Sequence, residues 1–349
     1  DCSLVVLEER NYIGMCEATA MKKDKAMGLP WYRCGGMHVN QVGMAFNIAL
    51  PVISLAMDLD EHHRNTFVTI LVGGYLSSML TCRMIYCIVV IPTFMASLLL
   101  LASFSKPVLV AAISIALAVA KVNICMSVCL HRYAAHHAFQ CGPLTHAFLS
   151  VLGCLANQGG PIWWASQHRC HHKYCDVPRD PHSAKMTSVE EAFSFFITHQ
   201  PVEEEFAPKH LESNWLRLLD TWSWVTVACE LYAAHLLLGR EGLFVAYTSG
   251  WICQSITLWF NVANHPAEKK GVCKATDKKL PLTDEWYLPY YLLDMLHPFF
   301  GIFVMEGAHE HHHDNPGLAK RSVNDLAYHA FLRPLETMGL IWKVNCGEF

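Results

Sequence analysis

Charge is what this chain has least of. Only 16% of its 349 residues are Asp, Glu, Lys or Arg, against 53% hydrophobic, and the mean hydropathy is +0.23. That balance fits a soluble domain poorly and a membrane protein well. A basic excess is missing too: the net charge is −4, the pI is near 6.6, and no Lys/Arg cluster is interleaved with aromatics. A surface built to track a phosphate backbone is thereby excluded. No C-x-x-C pair occurs among the 15 cysteines, and Cys87, Cys125, Cys129 and Cys154 lie in apolar runs where cysteine acts as a small hydrophobe. A reduced, intracellular setting is expected in place of a disulfide framework. Internal repeats, low-complexity tracts and Gly/Ser linkers are also lacking. Residue 1 is Asp and not Met, so the lack of a targeting signal proves nothing.

What the chain has in abundance is apolar length. Residues 84–104 and 107–130, separated by Ser105-Lys106, are each long enough to cross about 30 Å of hydrocarbon, and so read as a helical hairpin. A second hairpin is expected over 215–238 and 242–260, broken at Gly239-Arg240-Glu241-Gly242. The expected architecture is an all-α membrane protein with four core transmembrane helices under a helical cytosolic cap. Its parts are an N-terminal region (1–83), hairpin 1 (84–130), a first cap segment (131–213), hairpin 2 (214–260) and a second cap segment (261–349). Within 1–83, the apolar stretches 39–57 and 66–80 contain Asn47, Pro51 and Gly73-Gly74, and read as one or two extra membrane helices or as helices in the interface. A loop is expected over 267–281 and a helix over 288–305. Both cap segments share one face, because a hairpin returns the chain to its starting side. Their Lys and Arg residues (Lys173, Arg179, Lys185, Lys269, Lys270, Lys278, Lys279) outnumber Lys106 and Arg240 in the hairpin turns, so that face is expected to be cytoplasmic.

Three histidine clusters lie on this face: His131-x4-His136, His168-x2-His171-His172 and His309-x2-His312-His313. On a helix, His at i, i+3 and i+4 share a face, so each of the last two clusters is expected to aim three nitrogens at one point. The first differs, since five residues turn through about 500° on an α-helix. His131 and His136 are therefore expected at a helix end, or flanking two different ions. Imidazole without thiolate suits Zn, Fe, Cu or Ni. Eight ligands exceed one tetrahedral zinc, so two ions with four or more His each is the economical count. His265, in Asn261-x3-His265, is a ninth candidate, and Asn261 one turn earlier is a candidate holder of a metal-bound water. For isolated histidines such as His62, His63, His146 and His210, a packing or capping role is the better reading. Two oxidisable metals at a lipid boundary point to attack on an alkyl chain, whose C–H bonds resist acid/base and nucleophilic chemistry; a di-iron centre that activates O2 answers that need.

Over residues 84–335 the chain resembles the membrane-bound fatty acyl desaturases of the stearoyl-CoA (Δ9) type. The resemblance rests on His131-Arg132, on Gly-Pro-Ile-Trp-Trp164-Ala leading into His168-Arg-Cys-His-His-Lys173-Tyr, and on Asp176 and Asp180-Pro181-His182. Asn261-x3-His265 and Glu306-Gly307-Ala-His309-x2-His312-His313 complete it. It implies a mushroom-like fold and two irons held by His131, His136, His168, His171, His172, His265, His309, His312 and His313, with a water on Asn261. It also implies O2 as co-substrate, cytochrome b5 or ferredoxin as external electron donor, and a cis double bond, usually at Δ9, placed in an acyl chain threaded through a bent tunnel. Trp163 and Trp164 are candidates for the tunnel wall, with an interfacial anchor as the competing reading. The implied location is an integral membrane protein of the endoplasmic reticulum, with a plastid or bacterial inner membrane as alternatives.

The chain departs from the animal enzymes at the head group. Those carry Arg-Asp before the second cluster and an Asn in the loop upstream, where this chain has Ser166-Gln167 and Gly159. The loss of cationic contact leaves acyl-CoA and acyl-lipid carriers both open. No His-Pro-Gly-Gly haem motif occurs in these 349 residues. The nearest rival reading is a membrane di-iron hydroxylase of alkanes, sterols or lipids; Asn261-x3-His265 and the long gap between second and third clusters favour the desaturase. A His-rich metal transporter would put ligands within its spans, whereas these hold little that ionises beyond Lys121, Asp220, Glu230 and His235.

Overall fold

The computed structural model describes residues 33–34, 37–81, 85–184, 186, 189–198, 201–265 and 309–347. The expected loop over 267–281 and helix over 288–305 lie outside them. The described chain is mostly helical. Helix α1 (Val39–Met57) leads to α2 (Glu61–Thr81) and α3 (Ile85–Ala102), then to α4 (Pro107–Ala120), which runs without a break into a π-helix, Lys121–Ala135. Two segments among the described residues are long and apolar enough to cross a membrane: Val39–Met57 and Pro107–Ala135. Pro107 opens α4 at a position where its missing N–H costs nothing.

The polar residues of α1 fasten it. Asn40 Nδ2 donates to the Asp220 carbonyl at 2.9 Å and Asn47 Nδ2 to the Trp224 carbonyl at 2.9 Å. Gly43 lies against the Trp224 ring so closely that a Cβ would come within 2.1 Å of it. Asn47, named above as an interruption of the apolar run, is thus one of the contacts that seat the helix against the chain around Trp224.

That hairpin differs from its expected bounds. Residues 215–222 do not belong to its first arm; α5 (Pro143–Cys154), α6 (Pro161–Tyr174) and α7 (Val189–Thr198) are followed by a separate short helix, α8 (Asn214–Thr221). The chain breaks at Trp222 (φ −112°, ψ 26°), and α9 begins at Ser223 and ends at Ala263. The physical reason is Asp220, whose buried carboxylate Oδ1 accepts the Ile162 and Trp163 N–H groups at 2.8 and 2.9 Å, binding α8 across the N-terminus of α6. Within α9 the expected break is present at Gly239, which takes φ 65° and ψ −147°.

Two apolar cores result. One, with Leu55, Phe67, Leu100 and Phe244, lies among α1, α2, α3 and α9; the other, with Val128, Phe139, Trp163, Phe193 and Ile256, lies beneath the histidine clusters. The C-terminal segment closes over the second. A two-residue strand β1 (Gln140–Cys141) pairs antiparallel with β2 (Ile341–Trp342), and buried Arg132 is bonded to buried Asp325 at 2.7 Å. Among the described residues eight cysteines, Cys125 and Cys253 among them, are free thiols, and Cys175 is disulfide-bonded, which the expected absence of a disulfide framework did not foresee.

Candidate metal centre

Residues 121–135 form a π-helix, and this overturns the geometry expected of His131-x4-His136. On i→i+5 bonding, residues five apart come to lie one above the other, as residues four apart do in an α-helix. The His136 N–H donates to the His131 carbonyl at 3.1 Å, and their rings are 5.1 Å apart. The pair sits at a helix end, as expected, but it faces one point and not two.

The other two clusters correct the expectation of a shared focus. At about 100° per residue, His at i and i+4 differ by about 40° while i+3 lies about 60° to the other side. His168 and His172 accordingly turn together, their Nε2 atoms 3.0 Å apart, while His171 turns toward His265, ring to ring at 4.8 Å. His309 and His313 likewise stay together at 4.7 Å, and His312 crosses to His131, Nε2 to Nε2 at 2.8 Å. Each i, i+4 pair serves one group and its i+3 member serves the other.

The nine expected histidines therefore fall into two groups. His131, His136, His168, His172 and His312 bring one nitrogen each within 4.8 Å of one another. His265, His309 and His313 form a second set by the same measure, and His171 joins it through His265 and through His313 at 5.4 Å. The groups share a border where His172 and His313 stack at 4.3 Å.

Burial pushes the imidazoles of His136, His168, His172, His309 and His312 well below the usual range and that of His313 down to about 2, with neighbouring positive charge adding to it. They are neutral at pH 7 and keep a lone pair. Within the five-histidine group the Nε2 atoms form a chain of 2.8–3.0 Å contacts from His131 through His312, His172 and His168 to His136. Lone pairs crowded this closely repel unless something positive lies between them, so the donor set fits a divalent ion of the Zn, Fe, Cu or Ni kind.

The outer contacts set the tautomers. His171 Nδ1 pairs with Asp180 Oδ2 at 2.9 Å, leaving its buried Nε2 without a partner among the described residues; His265 Nδ1 faces Asp176 Oδ2 at 3.2 Å, leaving Nε2 toward His309 at 3.0 Å. A carboxylate behind the far ring nitrogen is what orients a metal-binding imidazole. Burial opposes the charge of both partners, yet the pairing raises His171 and holds Asp180 below the ordinary carboxylate range. Asp180 Oδ2 also accepts the Asp176 N–H at 2.7 Å, and Ser183 Oγ donates to Asp176 Oδ1 at 2.7 Å, so one loop braces both carboxylates. Sequence reasoning noted Asp176 and Asp180 but gave them no role; the signal available was their spacing behind the second cluster. Arg321, whose Nη1 lies 3.2 Å from His131 Nδ1, carried no signal, being 190 residues away in the chain.

Beside the histidines opens an apolar cleft, whose walls include Met126, Trp164, Phe195, Phe196, Ile256 and Phe260. His131, His168 and His309 border it, as does Asn261. The Asn261 amide is held by His182, donating to Nδ1 at 3.0 Å and to the carbonyl at 3.3 Å. Trp164 lines the cleft and stacks on His168 at 4.8 Å; Trp163 is completely buried behind it, stacked on Phe195 at 5.3 Å. Both Trp side chains are buried within the fold. Ser166 and Gln167 are buried and bonded inward, Ser166 Oγ to the Trp163 carbonyl and Gln167 Nε2 to the Pro201 carbonyl at 2.7 Å. Gly159 takes φ 95°, and a Cβ there would come within 2.7 Å of the Trp163 ring, so no head-group contact can be carried at that position.

No protein-family model matches the chain. Among characterised proteins it is 50% identical over 58 residues, 17% of this chain and 18% of the relative, to hex-5-enoyl-[acyl-carrier protein] acetylenase of Moorena producens (strain JHB). It is 38% identical over 71 residues, 20% of this chain and 26% of the relative, to the sn-1 stearoyl-lipid 9-desaturase of Anabaena variabilis. It is 41% identical over 58 residues, 17% of this chain and 16% of the relative, to the icosanoyl-CoA 5-desaturase of Limnanthes douglasii. The shared stretch thus spans between 16% and 26% of the length of these relatives.

Proposed function

From the premise that this chain is kin to the membrane fatty acyl desaturases over the stretch it shares with them, we propose that it is an O2-dependent acyl desaturase. It would insert a cis double bond, at Δ9, into a saturated long-chain acyl group. The observation that carries this reading is the division of nine buried or half-buried histidines into groups of five and four beside an apolar cleft. His131, His136, His168, His172 and His312 would hold one iron; His171, His265, His309 and His313 would hold the second. When bound, the irons supply activation of O2, for the overall change –CH2–CH2– + O2 + 2e⁻ + 2H⁺ → cis –CH=CH– + 2H2O.

The chain's own residues do the rest. Asp180 and Asp176 keep His171 and His265 in the tautomer that presents Nε2. Asn261, fixed by His182 at the cleft wall, would hold a water on the second ion. Trp164, Phe195 and Phe196 exclude solvent and hold an extended alkyl chain, so that two adjacent methylenes lie against His131, His168 and His309. Ser166, Gln167 and Gly159 offer no cation to a nucleotide head group, which favours a lipid-linked chain over acyl-CoA. We place the membrane-crossing segments at Ile85–Ala102, residues 107–130 and the two arms of α9, with α1 as a further span and 131–213 and 261–349 as the cytosolic cap. Cytochrome b5 or ferredoxin would supply electrons singly, at the endoplasmic reticulum or an equivalent membrane.

The test is expression in a yeast strain lacking its own Δ9 desaturase, with total fatty acids resolved by gas chromatography. A new cis monounsaturated acid is expected. A well-expressed, iron-loaded protein that yields none, or yields a hydroxylated acid, would overturn the proposal.

A further inference from the structure

A second set of rings lies outside the two groups. His137 follows His136 in the chain, is exposed, and takes φ 50°, a left-handed conformation uncommon for residues other than glycine. Its ring stacks on that of His210 at 4.0 Å and 6°. His210 Nε2 bonds to the Tyr133 carbonyl at 3.2 Å, and the Tyr133 ring lies 5.5 Å from His210. The Tyr133 hydroxyl bonds to His146, whose ring meets exposed Trp215 at 5.7 Å. These contacts agree with a packing role for His146 and His210, and they also link the pair to Tyr133.

Two exposed cations adjoin the rings. Arg169 and Lys209 have no carboxylate partner among the described residues, although Arg179, Arg217 and Lys173 nearby are all paired with Glu203, Glu204 or Glu205. Arg169 follows His168 in α6 and Lys209 precedes His210, and the charge of Arg169 helps lower both His136 and His210. Within that group His131 and His312 are buried while His136 and His172 are half-buried, and His136 is the member that adjoins exposed His137 in the chain, so the His136–His137 corner is one short route from solvent to the centre.

We propose that the stacked His137–His210 pair, flanked by Arg169 and Lys209, is the face on which a small acidic one-electron carrier docks and through which its electron enters the five-histidine group. This rests on the desaturase reading, whose stoichiometry needs two electrons per double bond. In each encounter the carrier is oxidised by one electron and the loaded centre gains it. Unpaired cations around a ring pair supply electrostatic steering toward an acidic partner, and the rings supply a bonded path inward.

The test uses the full chain in detergent, with a plant-type ferredoxin and the soluble cytochrome b5 head domain as probes. Binding is measured by biolayer interferometry at 50 and 300 mM salt, on iron-loaded and iron-free protein. Wild type is expected to bind one carrier tightly at low salt and at least tenfold more weakly at high salt. Arg169→Glu/Lys209→Glu, and Lys209→Glu alone, are expected to weaken low-salt binding, tenfold or more for the pair, with iron content unchanged. His210→Leu is expected to keep binding but slow reduction of the iron by bound carrier, followed by stopped-flow absorbance, at least tenfold. Unchanged affinity in both charge variants, or no binding by wild type to either carrier, would overturn the proposal. Binding requires no turnover, so a protein that binds carrier at this face but makes no double bond would sink the desaturase reading and leave the surface standing.

Discussion

Asp180 is nine residues from His171 and bonded to it, yet touches no substrate-facing atom of the cleft. Its contribution is to fix which ring nitrogen carries the proton. Asp180→Asn keeps the volume but replaces an obligate acceptor with a group that can present either end, so iron affinity should fall about 10- to 100-fold. Competitive iron titration of purified protein measures this without any assay of product. His171→Ala should remove one ligand outright and lower bound iron further, whereas His62→Ala, at a solvent-exposed turn, should leave iron content alone. Equal iron loss in His171→Ala and His62→Ala would contradict the assignment of His171 as a ligand. The histidines were legible in the sequence because their spacing is stored within six residues. Their partition was not: which group His171 or His312 joins depends on a 60° offset around a helix and on what another helix presents there. The π-helical turn that unites His131 and His136 was equally hidden, since an x4 spacing argues against a shared face only if the helix is α.

At the scale of elements, α6 carries the second cluster, and its N-terminus is held by Asp220. Burial pushes the Asp220 carboxyl up to about 7, although the two amide N–H groups favour its charged form. With the folded value above the unfolded one, the folded state binds its proton more tightly. Stability is therefore expected to fall as pH rises from about 4 through about 7, by at most roughly 4 kcal/mol from this group. Asp220→Asn should abolish that slope while still accepting both N–H groups; Asp220→Ala should leave them unmade at a cost of about 1–3 kcal/mol. Thermal unfolding of the three proteins between pH 5 and 8 reads both effects, and a slope that survives in Asp220→Asn would assign it elsewhere. Residue 220 was read as one of few ionisable residues in a span, because apolar periodicity runs on through 215–238. A capping contact to residue 162 has no local signature, and it is this contact that ends α8 and delays the hairpin to Ser223.

Across the whole molecule, the first cluster and the C-terminal segment are joined by a buried ion pair. Arg132, beside His131, meets Asp325 at 2.7 Å with both side chains fully buried, and Arg132 Nη1 also reaches the Ala319 carbonyl at 2.6 Å. Asp325 in turn accepts the Arg321 and Tyr328 N–H groups at 2.9 and 3.0 Å, so one carboxylate organises the turn that carries Arg321 to His131. The pair spans 193 residues, which is why composition and spacing gave no hint of it. Removing one charge strands the other: Asp325→Ala should cost about 3–5 kcal/mol. It should also free residues 315–347 to limited proteolysis, because β2, the Asn345 N–H to Ala138 carbonyl bond and the Asp325 turn secure one continuous flap. An apolar replacement of both partners separates fastening from charge. Arg132→Met/Asp325→Leu strands neither charge, so it should recover most of the lost stability. Without the turn that Asp325 organises, however, Arg321 loses its support beside His131. Iron content of the double variant should therefore stay below wild type even where its unfolding temperature does not. If stability and iron return together, the ion pair is a fastening alone and Arg321 has no part in holding His131.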